Sequence, residues 1–350
     1  MEFSVVITTY NRRNLLQRAI HSALNQTIQC EVVVADDCSS DDTQDYVTNL
    51  CTAFQSASNS RKVLGQSLCS GSFPNTDFAR EHSAPRASRL VYHRNEVNKG
   101  HAATVNAGVL KASGDWIKFL DDDDYLDPHC LEEMAKAIAL CPSAAICSSI
   151  AAQVNEMEVE LSRTPQLGPG LAFYTPQTDL HYGMLLELLP LGTPVQVSTR
   201  RDAFLQSGGW NSEFDANCDD IDSWIRIAQF GDAIFLNQCL AYRTIWSGAY
   251  NQKFSLQKRL DTNISIKKKI YNLVTEKHRS KLPAFKDIES YLKLHWTLVA
   301  LKQRKIHDFL YMLYPTIFSF NAWRILLTAV LFRRNYHNNS DICKFVLIEL

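Results

Sequence analysis

The chain lacks most of the features that mark common metal, redox and phosphate sites. Its ten cysteines (Cys30, Cys38, Cys51, Cys69, Cys130, Cys141, Cys147, Cys218, Cys239 and Cys343) include no C-x-x-C pair, which excludes a zinc knuckle or a dithiol redox motif. Cys147, in the apolar run 144–150, reads as a small buried side chain, as suits a reducing compartment. Glycine is absent from Thr8-Thr9-Tyr10-Asn11-Arg12-Arg13 behind the first apolar run, so no glycine-rich phosphate loop sits there. Charge of one sign is missing too: 36 basic against 37 acidic residues leave a net charge of -1, and no electrostatic case for nucleic acid as the main partner. No apolar stretch reaches the roughly 20 uninterrupted residues of a spanning helix. Met1-Glu2 runs straight into the apolar residues 3–7, without the length or basic flank of a signal peptide.

What is present is a rhythm. With 350 residues, 46% of them hydrophobic, the chain is long enough to bury a large core, as one domain or as a domain with an appendage. Its first half alternates apolar β-branched runs (3–7, 31–35, 90–93, 116–120, 144–150) with amphipathic helical stretches, which predicts an α/β domain with a largely parallel sheet. Asn11 is placed to cap a helix bearing Leu15, Leu16, Ala19, Ile20, Ala23 and Leu24, and a second helix is expected around 44–50. Residues 52–89, rich in Ser, Ala and Arg, read as a flexible surface insertion. The stretch 165–194 carries five prolines and reads as irregular, followed by a strand at 195–199 and a helix from Asp219-Asp220. Beyond about residue 250 only helices are expected. There 309–320 and 322–332 are strongly apolar, and either lie on a membrane surface or pack against protein.

The densest chemistry lies in Asp121-Asp122-Asp123-Asp124, directly behind Trp116-Ile117-Lys118-Phe119-Leu120. Four neighbouring carboxylates raise one another's pKa unless a cation, hydrogen bonds or water compensates. A solvated acidic loop is one explanation. A hard divalent cation such as Mg2+, bound by one or two carboxylates and a substrate's phosphates, is the other. A helix-loop-helix calcium site is excluded, since Leu126 occupies the position of its sharp-turning glycine. Asp127-Pro128 follows as an expected N-cap and first helical residue ahead of Leu131, Met134, Ala135 and Ile138. The acids therefore fall at a strand-to-helix junction, on the edge where open α/β sheets bind ligands. Thr8-Thr9-Tyr10-Asn11, Asp36-Asp37 and Asp219-Asp220 are expected on the same edge.

Taken in order, Val5-Val6-Ile7-Thr8-Thr9-Tyr10-Asn11-Arg12, Val33-Val34-Ala35-Asp36-Asp37-Cys38-Ser39, Asn98-Lys99-Gly100 with Asn106-Ala107-Gly108, Phe119-Leu120-Asp121-Asp122-Asp123-Asp124, and Gly208-Gly209-Trp210 before Asp219-Asp220-Ile221-Asp222-Ser223-Trp224 resemble the motifs of the family 2 glycosyltransferases. The resemblance covers residues 3–246. It implies a GT-A type, Rossmann-like open mixed sheet flanked by helices over 1–250, and a helical extension over 251–350. It further implies an inverting transfer from a nucleotide-diphosphate sugar, a UDP-sugar first among them, to a polysaccharide or lipid-linked glycan acceptor.

Residue by residue, the resemblance puts Thr8, Tyr10, Asn11 and Lys99 at the nucleotide, Asp36 and Asp37 at base and ribose, and Asp121, Asp123 and Asp124 at ribose and an Mn2+ or Mg2+ ion. Asp220 matches the general base, with Asp219 as its alternate or as a helix cap, and Asp122 falls in a variable position. Tyr242-Arg243-Thr244-Ile245-Trp246 lacks the metal-binding His of many relatives. Two alternatives stay open: a sugar-nucleotide-forming nucleotidyltransferase, and an inactive binding module. The expected location is the cytoplasm, free or peripheral on the membrane's cytoplasmic face.

Overall fold

Valine and isoleucine crowd the first two apolar runs, and both form strands buried along their whole length, β1 (Phe3–Thr9) and β2 (Cys30–Asp36). Strands apolar on both faces need cover on both faces. Val5 and Ile7 accordingly pack with α1 (Arg13–Leu24) and α4 (Cys130–Leu140) on one side. Val6, between them, packs with α3 (His101–Lys111) on the other. The computed structural model describes residues 1–63, 89–214, 218–246, 255–313, 316, 318–334 and 343–350.

The remaining strands are β3 (Arg89–Arg94), β4 (Trp116–Asp121), β5 (Tyr125–Leu126), β6 (Ala144–Val154), β7 (Glu160–Arg163), β8 (Ala172–Thr175), β9 (Val197–Arg200), β10 (Asp232–Thr244) and β11 (Val346–Leu347). The sheet runs β11-β8-β10-β6-β9-β4-β1-β2-β3. β4, β1, β2 and β3 are parallel, β9 is antiparallel to both β4 and β6, and β6 and β10 are parallel. The result is a mixed sheet. Its register sets Thr8 beside Asp121 and Thr9 beside Asp36, so three polar strand ends share one edge.

Close approach of α3 to β1 depends on Gly108. A Cβ there would lie 2.6 Å from Val6 Cγ1 and 3.1 Å from Ala35 Cβ. Two residues earlier on α3, Asn106 takes the N–H of Trp210 on Oδ1 (2.8 Å) and donates Nδ2 to its carbonyl (2.9 Å). Two of the sequence motifs are thereby clasped together.

Several elements differ from their sequence expectation. α2 (Thr43–Val63) continues through residues 52–63, because Val47 and Phe54 carry its buried stripe onward; the rest of the expected insertion, up to residue 88, lies outside the described residues. α4 starts at Cys130, since the Asp127 carboxylate accepts the His129 N–H (2.9 Å) in a turn that leaves Pro128 ahead of the helix. Asn11 does not cap α1; its φ is 55° and its Oδ1 accepts the Ser40 N–H at 2.6 Å. The stretch 165–194 is partly ordered, holding β8 and α5 (Gln177–Leu185).

The second half adds α6 (Arg201–Gln206), α7 (Asp219–Ile227), α8 (Leu256–Leu273), α9 (Glu276–Arg279), α10 (Phe285–Lys302), α11 (Ile306–Leu313) and α12 (Phe320–Arg334). Leu256, Leu260, Ile266, Ile270 and Leu292 enter the same apolar core as Val6 and Phe119. Asp179 of α5 ties the helical region down. Its Oδ1 accepts Lys277 Nζ (2.6 Å) and His278 Nε2 (2.7 Å), and its Oδ2 the Lys344 N–H (3.1 Å). β11 then pairs with β8. No helix among the described residues is long and apolar enough to cross a membrane.

Candidate active site

The acid run leaves β4 in a turn, and the four carboxylates separate into two groups. Ligand oxygens of Asp121, Asp123 and Asp124 converge within 4.8 Å of one another. Asp122 turns away, buried, and accepts from Thr9 Oγ1 (2.8 Å) and Arg12 Nη1 (3.1 Å). Arg12 also donates to Asp123 Oδ2 (3.2 Å), as does Trp246 Nε1 (3.0 Å), while Asp124 Oδ1 receives the Thr244 N–H (2.8 Å). Burial and then the neighbouring acids push Asp124 well above the usual carboxylate range, and burial with the Asp121 charge raises Asp123. Burial lifts Asp122 to about 7 against the pull of Arg12. Such mutual repulsion is what a hard cation with oxygen ligands relieves, so the donor set fits Mn2+ or Mg2+.

Asp121 behaves differently. Burial works to raise it, but hydrogen bonds from His101 and Thr8 outweigh burial and hold it below the usual range. His101, the first residue of α3, gives Nε2 to Asp121 Oδ1 (3.1 Å) and Nδ1 to Asp219 Oδ2 (3.1 Å). Carboxylates accept, and a ring protonated on both nitrogens can donate to the two of them at once. Burial opposes that charge, and the bonds to the two acids raise the ring's pKa well above its ordinary value. Trp210, fixed by Asn106, meets the imidazole edge-on with centroids 5.3 Å apart.

Asp220 follows on α7. Its Oδ1 accepts the Ile221 N–H (2.7 Å). Burial first, and the Asp219 charge second, push it up to about 7. Trp224, one turn on, anchors the helix in a cluster with Phe119 and Trp210 at centroid distances of 5.3 and 5.8 Å.

The nucleotide-side residues divide by the capacity they have left. Asp36 is fully buried, with Oδ1 taken by the N–H and Oγ of Ser39 and Oδ2 by the Tyr92 hydroxyl (2.6 Å). Asp37 holds the loop 95–100 by accepting Asn95 Nδ2 (2.9 Å) and the N–H groups of Lys99 (2.7 Å) and Gly100 (2.9 Å). Two oxygens offer about four lone-pair sites, so one remains on Oδ2. Thr8 Oγ1 donates to Asp121 Oδ1 (3.2 Å), Tyr10 is 47% exposed at the rim, and the Lys99 side chain is exposed. Asn11 is engaged with Ser39 and Ser40 instead of facing the cleft empty-handed.

Sequence reasoning passed over His101, Arg12 and Trp246. His101 stands directly behind Asn98-Lys99-Gly100, a motif read only for its lysine. An expected site short of nearby histidine receives one from α3.

Comparison with known proteins agrees with the fold. Staphylococcus aureus TarS, solved with UDP-GlcNAc, superposes with a TM-score of 0.54 at 17% identity, over 88% of this chain and 89% of that one. A mannosyltransferase of Pyrobaculum calidifontis, solved with GDP-Man and Mn2+, gives 0.51 at 16% identity over 97% and 83%. In sequence, an uncharacterized glycosyltransferase of Haemophilus influenzae is 24% identical over 65% of this chain and 62% of its own length. A β-1,3-glucosyltransferase of Campylobacter jejuni, named for GalNAc(5)-diNAcBac-PP-undecaprenol, is 32% identical over 36% of this chain and 30% of its own. The chain thus spans less than two thirds of these curated relatives. The profile described as Glycosyl transferase family 2 matches residues 4–63 and 74–206, more than half of the 350, and the chain, with its GT-A-like mixed sheet, belongs to that family.

Proposed function

We propose that the chain moves a sugar from a nucleotide-diphosphate donor to a hydroxyl of a glycan or lipid-linked acceptor, inverting C1, with Mn2+ or Mg2+ beside the acids. One observation supports this above the rest: three carboxylates converge within 4.8 Å of one another, and the charge of one of them, Asp121, is felt by Asp220, a carboxyl raised to about 7. Asp121, Asp123 and Asp124 would hold the cation, which would supply Lewis-acid stabilisation to the departing diphosphate. Asp37 offers its open lone pair to a ring N–H of the base, with Thr8, Tyr10 and Lys99 around the nucleotide. Asp36 and Asn11 hold the loops that shape this pocket. Asp220 takes the proton of the attacking hydroxyl, a task for which a pKa near the working pH is suited. A diphosphate leaves without protonation, so no second carboxylic acid is required, unlike glycoside hydrolysis.

The solved neighbours hold UDP-GlcNAc and GDP-Man, and UDP-sugars are the first donors to try. Phe320, Trp323 and Leu327, exposed at 78%, 38% and 60%, recur at helical spacing on one face of α12. With Phe318 at 91%, they suit a lipid surface on the cytoplasmic side and a lipid-linked acceptor.

A thermal-shift screen of nucleotide sugars with and without Mn2+ identifies base, sugar and metal dependence together. One donor should stabilise the protein, and chelation should remove the effect. Asp220→Asn should keep that stabilisation and lose transfer; near-normal transfer by Asp220→Asn would overturn its assignment as base.

A further inference from the structure

We propose that His101 is a positioning residue that sets the gap between the donor anchor Asp121 on β4 and the general base on α7. This builds on the glycosyl-transfer reading of the site. The imidazole spans from Asp121 Oδ1 to Asp219 Oδ2, at 3.1 Å on each side, and has Thr8 Oγ1 3.3 Å from Nε2. Strands β1 and β4 and helices α3 and α7 therefore meet at one ring.

The tie acts at the front end of α7, where the N-cap, Cys218, has a φ of 74°. Farther along the helix, Trp224 is packed among aromatics, and Asp222 is held by Arg226 (3.0 Å) and Lys269 (2.6 Å). At its first turn His101 links the helix to the sheet through Asp219, whose other oxygen accepts the Asp220 N–H at 3.1 Å. The Asp220 backbone is thus held by the carboxylate that His101 holds. His101 is itself fixed: Gly100 precedes it at a φ of 87°, its N–H bound by Asp37, and Trp210 stands against the ring. The residues His101 joins, Thr8, Asp121 and Asp219, are all motif residues, which gives a short path from donor loop to base.

Geometry also supplies the test. An asparagine amide reaches where Nδ1 stands, and a glutamine amide where Nε2 stands. His101→Asn therefore keeps the arm to Asp219 and loses Asp121, His101→Gln does the reverse, and neither spans both. A misplacement of about 1 Å costs on the order of a hundredfold in rate, so both variants should lose roughly ten- to a hundredfold in kcat for transfer. Nucleoside-diphosphate affinity and donor KM should stay within about threefold, since the contacts to base, ribose and cation survive. Hydrogen exchange of the amides at the start of α7 should quicken in both variants while β1 and β2 stay protected.

The outcomes separate. Unchanged exchange at α7 with kcat within about twofold of wild type overturns the positioning role. A fall in nucleotide affinity parallel to the fall in kcat also overturns it, and makes His101 a donor contact. Wild type that transfers no sugar from any donor sinks the functional reading itself, whereas quickened exchange at α7 in the same protein would leave the structural bridge standing. His101→Leu provides a variant with neither arm, expected to be no better than the weaker of the two.

Discussion

Replacing Asp179 by alanine tests how firmly the helical region is bound to the sheet. The carboxylate side chain is 1% exposed and takes three donors, Lys277 Nζ, His278 Nε2 and the Lys344 N–H. Lys277 is 54% exposed, and its share is small, about 1 kcal/mol at most. His278 is 3% exposed and lies flat against Tyr182 at 4.3 Å, so removing its acceptor strands a buried donor. The Lys344 N–H loses its partner as well. Breaking such a buried pair costs about 3 kcal/mol, the low end for removing one partner. Melting entropy near 2.1 cal/mol/K per residue gives about 0.7 kcal/mol/K for a chain of this size, and so a loss of about 4 °C in Tm.

Differential scanning calorimetry reads the shift, and Lys277→Ala, as the exposed partner, should lower Tm by about 1 °C or less. The sign with pH follows from the carboxylate. Burial works to raise Asp179, but the bonds from Lys277 and His278 outweigh it and hold it below the usual range. Its contribution is complete above the unfolded pKa of about 3.9 and is lost as pH falls through the lower folded value. The gap between wild type and Asp179→Ala should therefore be present at neutral pH and close below about pH 4. An Asp179→Ala melt within about 1 °C of wild type at pH 7 would refute the reasoning.

Transfer should rise with pH through about 7, where Asp220 loses its proton, and a kcat flat from about pH 5.5 to 8.5 in a pH-rate series would count against Asp220 as base. Asp122→Ser should leave transfer nearly intact yet lower stability by about 1–3 kcal/mol, because Thr9 and Arg12 lose a buried acceptor; Asp123→Ser should instead abolish Mn2+-dependent donor binding, and calorimetry with titration separates the two. Gly108→Ala should cost about 1–3 kcal/mol in urea unfolding, since its methyl would sit 2.6 Å from Val6 Cγ1 on a buried strand; an unchanged midpoint would mean that α3 can shift outward freely.

Strands buried on both faces were the most legible part of the sequence. Runs such as 3–7 and 31–35 have no other stable use, and the polar residues just past each run mark the ligand edge. The division of the acid run was legible too, but only through likeness to other proteins: nothing in four consecutive aspartates says that the second turns toward Thr9 and Arg12. α2 was truncated in the sequence view because serine and alanine dilute its apolar stripe, which Phe54 carries on. α5 and β8 were missed since prolines on both sides hide short elements whose burial is tertiary. His101 was missed for a related reason. Its partners Asp121 and Asp219 are far from it along the chain, and only the folded arrangement brings a single imidazole within 3.1 Å of both.

The pairing of β11 with β8 has a kinetic consequence. Val346 lies opposite Tyr174, and β8 in turn lines β10, so the outer edge of the sheet is closed by a strand that follows α12. Until then β8 presents an open ladder edge, the kind of surface that recruits other chains. Loop closure over so long a separation is slow. A nascent chain therefore carries that edge unpaired from the emergence of β8 until residues 346 and 347 follow, long after the catalytic motifs are complete.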